Sequence, residues 1–141
     1  MDNLEKEAIE YLIKNHCDIS KTTNVLDVGC NKGTWLDIIL NYKDSSQYHA
    51  TYRLHIFEPN EMLLNYLKVK YDYKENITYC NRACYRESDK ELTFYYWEDY
   101  HNGLSSVYNN PKWEQELGDK RKEKKVRTIS LDDYWLKDDL S

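Results

Sequence analysis

The stretch Asn24-Val-Leu-Asp-Val-Gly-Cys-Asn-Lys-Gly33 constrains this chain more than any other. A short apolar run ends in an acid, two glycines bracket a tight loop, and residues 34–41 follow with helical character. That order is strand, glycine turn, helix. Glycine there lets a ligand approach backbone that a Cβ would block. A second apolar run, Leu54-His-Ile-Phe57, ends in Glu58. An acid at the tip of a second strand suits the hydroxyls of a ribose. Asp27, Gly29, Gly33 and Glu58 together therefore predict a nucleoside-cofactor site, with Asp27 organising the loop or accepting from an ammonium group. The Gly-x-x-x-Gly spacing departs from the dinucleotide pattern, which disfavours NAD. The competing explanation is an ordinary strand–helix turn, with Glu58 a solvated carboxylate at a helix start.

Along the chain, residues 2–17 read as an amphipathic helix, since Leu4, Ala8, Ile9, Leu12 and Ile13 recur at three- and four-residue spacing. Residues 25–28 read as a buried strand, 34–42 as a helix, 43–46 as a polar turn and 52–57 as the second strand. Pro59 suits the first turn of the next helix, which carries Met62, Leu63, Leu64, Tyr66, Leu67 and Val69. Residues 77–81 form a third strand, and Asn81-Arg82-Ala83-Cys84 at its exit would lie near the base of a bound nucleoside. Alternation over residues 24–82 predicts parallel βαβαβ winding with right-handed crossovers. After Ala83 the pattern changes. Residues 91–97 and 126–131 read as strands of a loop-rich, hairpin-like insert, and residues 131–136 as a short helix or turn. One α/β domain results: an N-terminal helix in 1–20, a cofactor-binding half in 22–84 and a loop and hairpin segment in 85–136.

Several function classes are disfavoured. A net charge of −5 favours no nucleic acid. No apolar run reaches the roughly 18 residues of a membrane span, and no signal-peptide pattern opens the chain, so a cytoplasmic protein is expected. Cys17, Cys30, Cys80 and Cys84 lack zinc-type pairing and read as free thiols, with no metal site. His16, His49, His55 and His101 have no ligand spacing; His55, inside a strand, reads as a satisfied core residue, and His101 beside Asn102-Gly103 is the better general-base candidate. Asn102-Gly-Leu-Ser-Ser106 reads as a turn or a substrate loop, with Ser105 and Ser106 as contacts. The run Lys120 to Arg127 reads as a solvated loop, with a phosphorylated acceptor as the functional alternative. Asn76-Ile-Thr78 matches a glycosylation acceptor without a secretory signal to support its use.

Asp27-Val-Gly-Cys-Asn-Lys-Gly33, Phe57-Glu-Pro59, Asn102-Gly-Leu-Ser-Ser106 and Thr128-Ile-Ser-Leu-Asp-Asp133, in that order and spacing, resemble the FkbM-type S-adenosylmethionine-dependent methyltransferases over about residues 22–136. The resemblance implies a Rossmann-like class I methyltransferase fold. It implies that Asp27, Gly29, Cys30, Asn31 and Gly33 line the methionine and ribose of the cofactor, that Glu58 and Pro59 hold the ribose, and that Ala83 lies by adenine. It also implies O-methylation of a sugar-like or other small-molecule hydroxyl, by attack of a substrate oxygen on the cofactor's methyl. The family's next strand, with a Lys-Ile-Asp-x-Glu-Gly-like motif, has no counterpart before Ser141. A truncated fold with an unpaired edge on the first strand is therefore expected, covered by further chain, by the insert strands or by a second copy in a homodimer. The alternative function is a non-catalytic relative that acts by binding or assembly.

Overall fold

A computed structural model describes residues 3–16, 22–45, 51–72, 74, 76–98, 105–117 and 120–138. The element order is α1 (Asn3–His16), β1 (Thr22–Val28), α2 (Thr34–Ser45), β2 (Thr51–Phe57), α3 (Glu61–Lys70), β3 (Ile77–Cys80), β4 (Ala83–Cys84), β5 (Glu91–Tyr96), α4 (Pro111–Leu117), β6 (Lys122–Ile129) and α5 (Leu131–Asp138). The architecture is mixed α/β. A parallel sheet has the order β1-β2-β3, and a second, mixed sheet has the order β4-β6-β5. No described helix is long and apolar enough to cross a membrane.

The parallel sheet is central because its middle strand is apolar on both faces. Tyr52, Leu54, Ile56 and Phe57 of β2 are all buried. Fully buried strands of this kind belong to parallel sheets covered on both sides. On one face Ile9 and Ile13 of α1, Leu36, Ile39 and Leu40 of α2, and Leu64, Leu67 and Tyr71 pack with Leu54 and Ile56. On the other, Phe57 packs with Tyr134 of α5, backed by Leu26, Cys80, Cys84 and Ile129. His55 is a satisfied core residue as expected: its Nδ1 meets the Tyr134 hydroxyl at 2.7 Å and its Nε2 meets Asn24 Oδ1 at 3.0 Å. That chain of polar contacts ties α5 to β1 and β2.

Several sequence expectations are corrected. The polar turn at residues 43–46 is not one, because residues 43–45 continue α2. The next helix starts later than Pro59: Asn60 is its N-cap, with its side chain accepting from the Met62 N–H. Met62 and Val69 of that helix are exposed, and only Leu64 and Leu67 are buried within it.

The segment after Ala83 is more regular than a loop-rich insert. β5 and β6 do form an antiparallel pair, with α4 in the connection. Asn110 Oδ1 accepts from the Lys112 N–H, and Pro111 occupies the first helical position, so a cap and a preset φ start α4. The basic run 120–127 is a correction as well. Most of it is β6, where Val126 and Thr128 point inward and Lys125 and Arg127 face water. That strand ends at Ile129, and Leu131 already belongs to α5. Ala83, Phe94 and Val126 form the small core of this second sheet. These strands pair with one another and not with β1, so among the described residues the outer edge of β1 is uncovered.

Candidate functional site

The loop after β1 is shaped by backbone conformations that few residues adopt. Gly29 and Gly33 sit at φ 73° and 79°, and Asn31, one of the residue types that tolerates this region, at φ 50°. Gly29 N–H donates to the Phe57 carbonyl at 2.8 Å, which locks the loop to the tip of β2, and Gly33 N–H donates to the Cys30 carbonyl at 2.8 Å. The two glycines differ in purpose. A Cβ on Gly29 would meet nothing within 4 Å, so the space above it is open to a ligand. A Cβ on Gly33 would run into the Tyr71 hydroxyl and into Leu67 Cδ2 at 2.9 Å. Gly33 therefore serves close packing of the loop against α3.

Tyr71 is a positioning residue that sequence reasoning missed. Its hydroxyl lies 2.9 Å from the Gly33 carbonyl and 2.6 Å from Asp37 Oδ1, while Lys70 Nζ reaches Asp37 Oδ2 at 2.7 Å and the Lys32 carbonyl at 3.0 Å. The C-terminal end of α3 thus clamps the start of α2 and the last turn of the loop. The available signal was weak: a Tyr one residue past a helix and an Asp in the first turn of another.

Glu58 follows the last residue of β2 and is only 4% exposed. Its N–H donates to the Cys80 carbonyl at 3.0 Å, continuing the β2–β3 ladder. The carboxylate accepts from Asn31 N–H at 3.4 Å and Asn60 N–H at 3.3 Å, one long contact to each oxygen. These contacts are at the weak end of hydrogen bonding. Burial raises the Glu58 carboxyl above its ordinary value, and the two N–H groups and the Lys124 ammonium oppose that rise. Asp27 is likewise raised by burial, and its Oδ2 is buried with no hydrogen-bond partner among the described residues. The Cys30 thiol is pushed up by burial and then by Glu58 and Asp27. Asp27, Cys30 and Glu58 thus share one electronegative neighbourhood at the ends of β1 and β2.

Lys124, on β6, is the second residue missed. Burial lowers its ammonium, and Glu61 and Glu58 pull the other way. It lines a cleft of about 330 Å³ with Pro59, Glu61, Asn81, Arg82 and Arg127. With its amide nitrogen turned toward them, Asn81 donates to the Glu58 and Pro59 carbonyls at 3.1 Å each. Ala83 is not on this cleft's lining; its side chain packs with Phe94 and Val126.

Ser106 pairs with Tyr95 through backbone bonds of 2.9 and 3.0 Å, and its hydroxyl accepts from the Tyr108 N–H. Ser105 Oγ is buried without a hydrogen-bond partner among the described residues. His101 and residues 102–104 of the expected loop lie outside the described residues, as do Cys17 and His49. Cys30 and Cys84 are free thiols, and among the described residues no three His, Cys, Asp or Glu side chains converge as a metal set. Comparisons with protein families, curated proteins and solved structures found no match to this chain.

Proposed function

We propose that the chain is a Rossmann-like, S-adenosylmethionine-dependent methyltransferase domain that methylates a hydroxyl of a sugar-like or other small molecule. The observation that carries this proposal is Glu58: a buried carboxylate at the tip of the second parallel strand, held beside a glycine loop by two long N–H contacts. Long contacts leave the carboxylate able to bond more strongly to a pair of vicinal hydroxyls. The open space above Gly29 fits close approach of a ligand to the backbone. The clustered Asp27 and Glu58 suit a cofactor bearing an ammonium and a sulfonium.

S-Adenosylmethionine supplies an electrophilic methyl group when bound. The protein's part is to hold it and to align an acceptor oxygen. Glu58 would fix the ribose, the loop from Gly29 to Asn31 would run along the methionine side, and Pro59 with Asn81 and Arg82 would border the base. Such alignment contributes more than a strong base does in methyl transfer.

Calorimetric titration with S-adenosylhomocysteine tests the proposal. Saturable binding is expected, with affinity reduced about tenfold or more in Glu58→Gln, as for loss of hydrogen bonds to a charged group. No saturable heat with the folded wild-type chain, or unchanged affinity in Glu58→Gln, would overturn the assignment.

A further inference from the structure

The cations of residues 121–127 divide by what they meet. Away from the cleft beside Pro59, Arg121 lies 3.4 Å from the Glu114 carboxylate and Lys122 lies 2.7 Å from Glu98. At the cleft, of about 330 Å³, the pattern reverses. Lys124, Lys125 and Arg127 of β6 form one wall, Arg82 joins them from the exit of β3, and Glu61 is the one acid in the lining. Lys124 Nζ makes no hydrogen bond and no ion pair among the described residues; it lies 5.5 Å from the centre of the Tyr96 ring. Its ammonium is half-buried, and burial weighs against its charge. A cation held out of water without a bonded counter-charge is costly, and a bound anion relieves that cost. Lys125 Nζ meets a neutral partner, Thr93 Oγ1, at 2.8 Å.

The two arginines are set in advance. Asp89 N–H donates to the Thr128 carbonyl at 3.0 Å, which fixes Asp89 against β6. From there its Oδ1 accepts from Arg82 Nη1 at 2.7 Å, and its carbonyl accepts from Arg127 Nη2 at 3.3 Å. Arg82 uses Nη1 alone for its bonds among the described residues, to Asp89 and to the Thr128 carbonyl, so Nη2 and Nε keep their donors for a ligand. A planar guanidinium with adjacent free donors suits the paired oxygens of a phosphoryl group, and ammonium groups beside it supply point charge.

We propose that this cleft is a binding site for the phosphoryl group of a small-molecule phosphate monoester, held by Lys124, Lys125, Arg127 and Arg82. Four cations against one carboxylate match a group that carries close to two negative charges. The volume lies at the small end of ligand sites, which fits a compact molecule. A net charge of −5 over the whole chain repels an extended polyanion, so the attraction is local to this cleft. The cofactor reading places the base by Pro59, Asn81 and Arg82, and it gives the β6 wall no task. The proposal does not rest on that reading.

Calorimetric titration of the full chain with inorganic phosphate tests it, at low ionic strength held constant with chloride. Saturable binding is expected. Lys124→Met keeps the side-chain stem over Tyr96 and removes the charge, and it should weaken phosphate at least about tenfold. Lys125→Ala, at an exposed position, should weaken it in the same direction, and circular dichroism confirms that each variant is folded. Lys6→Met on α1 changes the net charge equally and should leave phosphate affinity unchanged. Methyl phosphate should displace inorganic phosphate, which separates a site for esters from a site for the free ion. Glu58→Gln should retain phosphate binding, so failure of the cofactor assignment leaves this one standing. No saturable heat with wild type overturns the proposal. So does affinity indifferent to both cleft substitutions, an equal loss in Lys6→Met, or failure of methyl phosphate to compete.

Discussion

The parallel sheet and the mixed sheet are built from opposite kinds of strand. β2 buries Tyr52, Leu54, His55, Ile56 and Phe57, with no alternation over its last four residues. β6 buries Val126 and Thr128 but exposes Lys122, Glu123, Lys125 and Arg127. A strand covered on both faces has to be apolar nearly throughout, whereas one with a wet face can carry charge at every second position. Composition along a strand thus reports what covers it. The proposed cofactor residues gather where the doubly covered sheet ends, and β6 brings Lys124 close enough to act on Glu58.

The sharpest break between the two kinds of strand is expected at Ile56, which is 0% exposed. Ile56→Ala should cost about 3–4 kcal/mol in urea denaturation, while Lys125→Ala on β6 should stay within about 0.5 kcal/mol. Comparable losses at the two positions would erase the distinction. The glycines come next. Gly33→Ala forces a methyl into Tyr71 and Leu67 at positive φ and should cost about 3 kcal/mol, against about 1 kcal/mol for Gly29→Ala, which has only the backbone term. Equal costs would mean that Gly29 is also enclosed. Tyr134→Phe deletes the hydroxyl that meets His55 Nδ1 and should cost roughly 1–2 kcal/mol, read as a shift of the urea midpoint at constant slope.

The smallest expected effect is a pH dependence. Burial raises the folded-state carboxyl of Asp27 above its unfolded value, so the folded chain holds that proton more tightly. Below the unfolded value both states are protonated and nothing is lost. As pH rises through the unfolded and then the folded value, the cost of a buried charge appears in full. Asp27→Asn should therefore gain stability relative to wild type between acid and neutral pH. A difference between the two chains that is flat with pH would place the ionised carboxylate in a better-solvated setting.

The parallel half was legible because several signals coincide there. The apolar runs ending at Val28 and Phe57, the glycines at 29 and 33, and the helical spacing after each run all specify the same winding. Glu58 was legible as the acid at a strand tip. Its link to Asn31 was not, because a contact spanning 27 residues depends on how the loop folds back. β6 was hidden by its own charges, since a strand with a wet face resembles a solvated run when only composition is read. The helix at Pro111–Leu117 was signalled by Asn110 and Pro111, but its short sequence lacks a marked apolar stripe. Tyr71 and Tyr134 were invisible as organisers because their partners lie far away along the chain.

The bond between His55 and Tyr134 spans 79 residues. On the ribosome β1, β2 and β3 emerge before α5 exists, and so do the three helices that cover their first face. Leu26 and Phe57 therefore wait uncovered on the second face until Tyr134 has been made. An apolar sheet face left bare during synthesis invites chaperones and premature association. Docking of α5, late and long-range, is then the step that converts a half-clothed nascent sheet into a finished one.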